Sequence, residues 1–229
     1  MSYFVQKKCE QLPGGQAVQQ IIKLTNSTHS LALQQAQQVP GQPLSQLNVH
    51  QFAVGTKGSG LFIIDINLTT YETTREEHVF LQGKYITAIL ELKEGLLLVA
   101  SYSDCSYYMV DLAAQKEELL CKGFSPYAMG LSKFPDFAFA GETPFPYVLA
   151  KEDDYLAVLN VRTGFAFRLA HVPTHNQNHF SQRLAFTSER TFVTDEGSYY
   201  LAKYRLSDLL FKYLREIQAW AGVNKMIRF

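Results

Sequence analysis

A strand pattern that returns at a nearly constant interval is the feature of this sequence that most restricts its fold. Four apolar segments follow short runs of turn-forming residues, and each ends in an apolar, a polar and an aliphatic residue. The four polar residues follow one another at intervals of 46, 49 and 45 residues: Asp65, Asp111, Asn160 and Arg205. Because periods of about 20 to 50 residues are typical of solenoids and propellers, we expect one structural unit per interval.

Each interval has room for four strands. The second repeat contains four strand-like runs: Ile86–Leu90, Leu96–Ala100, Tyr107–Leu112 and Glu117–Leu120. In the third repeat, Asn160–Gly164 predicts a turn and Phe165–Leu169 a strand after it. Short apolar and β-branched runs separated by Gly, Asp and Asn are typical of antiparallel sheets, so the pattern predicts an all-β chain.

The glycine-rich segment Val54–Asp65 raises the question of a phosphate-binding loop. Such a loop needs a helix after its glycines, because the helix amino terminus supplies oriented N–H groups. Here the glycines lead into Leu61–Ile64, an apolar run with β-branched and aromatic residues, and Lys57 precedes the second glycine. We therefore predict a hairpin turn and no nucleotide site, with glycine supplying positive φ angles.

These repeats resemble the WD40-type β-propeller family, whose blades have four strands in about 40 to 45 residues. The resemblance covers residues 45–219, and the Trp-Asp pair of the family is replaced by Ile64-Asp65, Val110-Asp111, Leu159-Asn160 and Tyr204-Arg205. It implies an all-β, β-propeller-like array of four-stranded blades, four in number with five as the alternative. It also implies a non-catalytic scaffold for protein-protein interactions, a subunit of a larger assembly.

The repeats divide the chain into three parts: an irregular segment or partial blade at 1–44, WD40-like blades at 45–219 and a tail at 220–229. Gln19–Leu24 fits a strand of an irregular blade or an amphipathic helix. Between Ser207 and Gly222, register with the other repeats favours a fourth strand at Leu209–Ile217, and a capped helix is the alternative. Since four or five blades are few for the family, we expect a small ring, a piece of a longer propeller, or an open array. In an open array, an edge strand of another chain, either a second copy of this protein or a different protein, completes the sheets.

Composition restricts the partners and the compartment. The chain has 21 basic and 21 acidic residues, so it lacks the net basic charge with which proteins hold nucleic acids or anionic membranes. Three cysteines without a CxxC pair indicate neither a disulfide framework nor a cysteine zinc site. With no secretion signal and no apolar run of about 18 residues, we expect an intracellular protein, cytoplasmic or nuclear, that is not inserted in a membrane.

Acidic residues concentrate in the turns that precede three of the repeated strands. Turns of this kind open on one face of a WD40-like array, where they attract a basic peptide or a cation. Tyrosine beside a turn offers apolar area with a polar tip, and histidine-rich loops also contact partners. The candidate partner-binding residues are Asp104, Asp153, Asp154, Tyr155, His175, Asp195 and Glu196.

The segment His171–His179 carries three histidines at steps of four residues. On a helix this spacing would align imidazoles for a metal ion, but Pro173 makes a helix unfavourable, so we expect a polar loop. The sequence also has no GxSxG motif. We therefore predict no catalytic, cofactor-binding or metal-binding residue; the alternative is a propeller-type hydrolase or metal-dependent enzyme that uses this loop.

Overall fold

The structure is a computed structural model, and it shows an all-β chain. It describes residues 17–25, 49–69, 72–73, 78–124, 128–133, 146–152, 155–171, 184–188, 191–195 and 201–209. Within these ranges the chain forms sixteen strands that belong to four separate antiparallel sheets. No helix of the described residues is long and apolar enough to cross a membrane.

The first sheet includes a strand from the segment 1–44. Its strands are β1 (Val18–Lys23), β2 (Val49–Thr56), β3 (Leu61–Asn67), β4 (Glu72–Thr73) and β5 (His78–Phe80). They follow the order β1-β2-β3-β4, and β5 also pairs with β3. Since β1 lies antiparallel beside β2, the run at Gln19–Leu24 forms a strand of this sheet and not a helix.

The next two sheets are four-stranded meanders, in which each strand pairs with the one that follows it. The second sheet consists of β6 (Ile86–Lys93), β7 (Leu96–Ser101), β8 (Ser106–Asp111) and β9 (Lys116–Lys122). The third consists of β10 (Ala128–Lys133), β11 (Tyr147–Glu152), β12 (Tyr155–Asn160) and β13 (Ala166–His171). The described strands of the fourth are β14 (Leu184–Ser188), β15 (Thr191–Asp195) and β16 (Leu201–Arg205).

The repeated polar residues occupy equivalent places in the four sheets. Asp65 lies near the end of β3, and Asp111, Asn160 and Arg205 are the last residues of β8, β12 and β16. Each of these is the third strand of its sheet. The β-propeller-like fold class of four successive blades, predicted from the repeat, is thereby confirmed.

Turn capping explains why two of these positions are polar. The Asp111 carboxylate accepts a hydrogen bond from the backbone N–H of Ala114 at 2.9 Å. The Asn160 side-chain oxygen accepts from the N–H groups of Arg162 and Thr163 at 2.9 and 3.2 Å. Asp and Asn favour turns because they satisfy such backbone donors locally. The polar residue therefore ends the third strand and starts the turn to the fourth.

The glycine-rich segment is a hairpin, as predicted. The backbone N–H and the hydroxyl of Thr56 both donate to the carbonyl of Gly60, at 3.1 and 2.8 Å. Gly58 and Gly60 have φ angles of 100° and 103°, values that residues with a side chain rarely adopt. The turn joins β2 directly to β3, so a strand follows the glycines where a phosphate site needs a helix.

The chain divides into two compact units. One comprises Met1–Asp104 and Tyr108–Leu119, and the other Cys105–Tyr107 and Leu120–Phe229. The core of the first unit combines side chains of the first two sheets, among them Ala53, Leu61, Ile63, Ile89, Leu97 and Val110. The core of the second combines the third and fourth sheets, among them Leu149, Leu156, Val158, Leu169, Leu184 and Phe192.

The chain after β16 begins as a helix. Residues 206–209 are helical, and Leu209 is buried in the core of the second unit at 9% exposure. The strand that register favoured from Leu209 onward is therefore wrong where it begins, because a helical turn carries Leu209 into the apolar core. The rest of that proposed strand, 210–217, lies outside the described residues.

Candidate functional site

The candidate residues from the sequence fall in different parts of the molecule. Asp104 belongs to the first compact unit, whereas Tyr155 belongs to the second. Asp195 ends β15, but its side chain is not described. Four more candidates lie outside the described residues: Asp153, Asp154, His175 and Glu196.

Asp104 is the centre of a polar network in the turn between β7 and β8. Its carboxylate pairs with the Lys84 ammonium and accepts hydrogen bonds from the hydroxyls of Ser101 and Tyr108. Burial raises the pKa of Asp104, but the hydrogen bonds from Lys84, Ser101 and Tyr108 outweigh it, so the pKa lies below its usual value. This carboxylate therefore holds its own turn together.

A second carboxylate, that of Glu152, is buried at the end of β11 with 0% exposure. It accepts hydrogen bonds from the Tyr107 phenol at 2.6 Å and from the backbone N–H of Phe124 at 3.0 Å. Burial, followed by the negative charge of Glu152, raises the pKa of Tyr107 well above its usual value, which keeps the phenol a donor. Glu152 directly precedes the acidic pair Asp153-Asp154 in the sequence, and in the structure it fixes the chain just after β9.

Gly123 makes this close approach of Glu152 possible. A Cβ atom at Gly123 would lie 2.8 Å from Oε1 of Glu152 and 3.2 Å from the Tyr107 ring. The N–H of Gly123 donates to the carbonyl of Cys105 at 2.6 Å. The backbone at Gly123 and Phe124 is thus held on both sides, and this determines where the Phe124 side chain leaves the chain.

Arg168 contacts both Phe124 and Tyr155 on the exposed side of the backbone at Gly123 and Phe124. The Arg168 guanidinium carbon lies 4.0 Å from the Tyr155 ring centroid and 5.1 Å from that of Phe124. One guanidinium N–H also donates to the Phe124 carbonyl at 3.2 Å. Arg168 is exposed, and Phe124 remains 39% exposed. We call Phe124, Tyr155 and Arg168 the arginine–aromatic cluster.

A β-bulge in β13 brings His171 beside the same cluster. Arg168 and His171 are three residues apart, a spacing that places side chains on opposite faces of a regular strand. Here Leu156 pairs with Ala170 and Ala157 with Arg168, so β13 contains one extra residue. The exposed His171 ring then meets the Tyr155 ring edge-on at 5.2 Å between centroids.

No protein-family model matches the chain, and no curated protein matches it. Among solved structures, a chain of Kuenenia stuttgartiensis hydrazine synthase is similar to it, with a TM-score of 0.47 and 12% sequence identity. The match covers 69% of this chain and 44% of the hydrazine synthase chain, so this chain spans less than half of that neighbour's length.

The structure describes only the first residue of the predicted histidine loop, and that residue, His171, is the last residue of strand β13. His175 and His179 lie outside the described residues. Within the described ranges, no group of three or more His, Cys, Asp and Glu side chains is placed to hold a metal ion. His171 contributes an aromatic contact to Tyr155 at the cluster.

Sequence reasoning identified Tyr155 but missed Arg168 and Phe124. The sequence predicts a strand at Phe165–Leu169, and strand alternation places Arg168 on the opposite face from Phe165 and Phe167. The sequence does not show that Arg168 contacts Phe124, because the two residues are 44 positions apart in the chain. The sequence around either residue carries no signal for that contact.

Proposed function

We propose that this chain is a non-catalytic protein-binding scaffold, a WD40-like subunit of a larger assembly. The observation that carries the proposal is the arginine–aromatic cluster, an exposed arginine packed against Phe124 and Tyr155. Tyrosine and arginine are enriched among the residues that dominate protein-protein binding energy. A cluster of these residue types on the surface of a β-sheet unit is suited to contact another protein.

The cluster is also held in one arrangement before any partner arrives. Glu152 fixes the Phe124 backbone from the buried side, and the Phe124 carbonyl accepts a hydrogen bond from Arg168. Binding normally costs about 0.5 to 1.5 kcal/mol for each long side chain that becomes immobilised. Since these contacts already restrict Arg168, part of that cost is met in the free protein.

The internal use of two carboxylates favours binding over catalysis. A general acid or base must reach a proton of its substrate within hydrogen-bonding distance. Glu152 is fully buried against Tyr107 and Phe124, and Asp104 is bound by Lys84, Ser101 and Tyr108. Their described contacts are those of structural groups, so the exposed cluster is the better basis for a function.

Crosslinking in cells followed by binding measurements tests the proposal. The tagged full chain is expressed in its source cell, crosslinked proteins are identified by mass spectrometry, and each candidate is then titrated against the purified chain by calorimetry. We expect at least one protein that binds directly with a dissociation constant in the micromolar range or tighter. If every candidate fails to bind in the purified system, the scaffold function is wrong.

A further inference from the structure

The guanidinium edge of Arg168 indicates which chemical group of the partner it binds. Resting on the proposed function, we infer that Arg168 receives a carboxylate from an acidic segment of the partner protein. The acidic turns predict a different partner, a basic peptide. An acidic segment and a basic peptide lead to opposite expectations for the binding of the same Arg168 variants.

The chemistry of the guanidinium points to a planar acceptor. Arginine has five N–H donors in one plane and no acceptor, and two of them match the two oxygens of a carboxylate. Aromatic rings pack over guanidinium faces, which leaves the donors at the edges. In the described residues one of these donors is used, in the bond to the Phe124 carbonyl. Arg168 thus retains donors for a bidentate contact.

The orientation of Arg168 depends on a chain of contacts that begins in the interior. Glu152 holds the N–H of Phe124, the Phe124 carbonyl holds Arg168, and the Tyr155 ring lies against the guanidinium. Glu152 is a positioning residue in this chain, since it is fully buried and acts on Arg168 through Phe124. A guanidinium fixed in this way distinguishes a planar carboxylate from a single uncharged carbonyl.

The charge of the cluster disfavours two other kinds of partner, a basic peptide and a phosphorylated segment. Glu152 is directed at the Tyr107 hydroxyl and the Phe124 N–H, so among the described residues at the cluster the exposed charge is the positive charge of Arg168, which repels a basic peptide. Phosphorylated segments are usually held by several arginines. Among the described residues, Arg168 is the one cation that packs against Phe124 and Tyr155. A single guanidinium matches a single carboxylate.

A peptide array measured with the full chain tests this inference. The probes are synthetic 15-residue peptides with a central Asp or Glu in varied surroundings, each made also with Asn or Gln, with phosphoserine, and with Lys at the centre. The variants are Arg168→Ala, Arg168→Lys and, as a matched control, Arg205→Ala, which removes an exposed arginine at the end of β16 in the same unit. Thermal melting confirms that each variant is folded before it is used.

We expect the wild-type chain to bind a subset of the Asp and Glu peptides at least about tenfold more tightly than their amide versions. Arg168→Ala abolishes that preference, and Arg168→Lys weakens it by about tenfold, because an ammonium cannot form the planar bidentate contact. Arg205→Ala leaves it unchanged. A preference that survives Arg168→Ala, or that is equal for phosphoserine or lysine peptides, overturns the inference.

The two proposals fail in different ways. If the crosslinked partner binds the purified chain but retains its affinity for Arg168→Ala, the scaffold function stands and the acidic partner segment is wrong. If the partner loses affinity with Arg168→Ala, tiled 15-residue peptides of that partner must place the binding in a segment with an essential Asp or Glu. If no peptide of the array binds above its amide version, the inference is wrong whatever the crosslinking shows.

Discussion

The Glu152 carboxylate accepts a 2.6 Å hydrogen bond from the phenol of Tyr107, and the exposure of the two side chains is 0% and 1%. The residues are 45 positions apart and lie on strands β11 and β8. A buried carboxylate is costly unless several donors stabilise it. Here the phenol and the Phe124 N–H stabilise it, so the same group that completes the interior also fixes the base of the arginine–aromatic cluster.

Neutralising Glu152 should therefore destabilise the chain. Glu152→Gln replaces an acceptor of charge-assisted hydrogen bonds by a neutral amide, and we expect a loss of about 1 to 3 kcal/mol in the free energy of unfolding. Glu118→Gln is the matched control, because Glu118 is exposed on β9 and should change stability by less than about 0.5 kcal/mol. Urea unfolding followed by circular dichroism measures both. Equal midpoints for the two variants would contradict the structural role of Glu152.

The repeat was a sufficient guide to the fold because its signal is local. Turn residues, strand alternation and a polar end to each third strand all lie within a few residues of one another, as at Asn160–Gly164. The strand that register favours at Leu209–Ile217 is wrong at its first residue, because register alone cannot predict a change from strand to helix. Residues 206–209 form a helical turn, whose apolar Leu209 meets the core contributed by other strands.

The cluster could not be predicted from the sequence because its contacts join residues that are far apart in the chain. Its contacts join residues from β12, from β13 and from the chain just after β9, and a bulge in β13 changes which side chains share a face. Acidic residues in turns looked alike in the sequence, yet Asp104 is partly exposed in an ion pair whereas Glu152 is fully buried. Only the packing of neighbouring strands distinguishes such residues.

Burial of the repeated third strand gives a direct test of the predicted register. Val158, at 5% exposure, lies in the core of the second unit. Val158→Asp should unfold the chain, since an unpaired buried carboxylate costs several kcal/mol against a total stability of about 5 to 15. Leu119→Asp is the control, because Leu119 is 55% exposed on β9. Circular dichroism should show a cooperative melt for Leu119→Asp and none for Val158→Asp; a cooperative melt for both would show that β12 is misplaced.

Alanine substitutions at two glycines separate the effect of backbone strain on stability from the effect of steric contact. Gly83 and Gly164 have φ angles of 76° and 70°, so an alanine at either position is strained by about 1 to 2 kcal/mol. A Cβ atom at Gly83 meets nothing within 4 Å, whereas at Gly164 it would lie 2.4 Å from the Leu120 carbonyl oxygen. Chemical unfolding should therefore show a larger loss for Gly164→Ala than for Gly83→Ala. The reverse order would mean that the β12–β13 turn does not contact Leu120.

The Asp104 network predicts a loss of stability in acid. The pKa of the Asp104 carboxyl in the folded chain lies below the unfolded value of about 3.9. The ionised carboxylate therefore stabilises the fold at pH values above about 3.9. The contribution disappears as the pH falls through the lower folded-state pKa. Asp104→Asn should be less stable than wild type near pH 7, and the difference should shrink steadily below about pH 4. A constant difference in urea midpoint from pH 7 to pH 2.5 would refute the role of this carboxylate.

Cys121 provides a chemical probe of the buried Glu152 charge. Burial, followed by the negative charge of Glu152, raises the pKa of the half-buried Cys121 thiol to about 11. An ordinary thiol has a pKa of about 8.5, so at pH 8.5 about half of it is the reactive thiolate, whereas the thiolate is a small minority at Cys121. Iodoacetamide should therefore alkylate Cys121 slowly in the folded chain at this pH and rapidly in the urea-unfolded chain.

Substitution of Glu152 distinguishes the charge from simple burial. Glu152→Gln removes the negative charge beside Cys121, which should lower the pKa of the thiol and speed its alkylation at pH 8.5 by several-fold. Glu118→Gln should leave the rate unchanged. Peptide mass spectrometry gives the rate at Cys121, and circular dichroism under the same conditions shows that the variant remains folded. An unchanged rate in folded Glu152→Gln would mean that burial alone suppresses the thiolate and that the Glu152 charge does not reach Cys121.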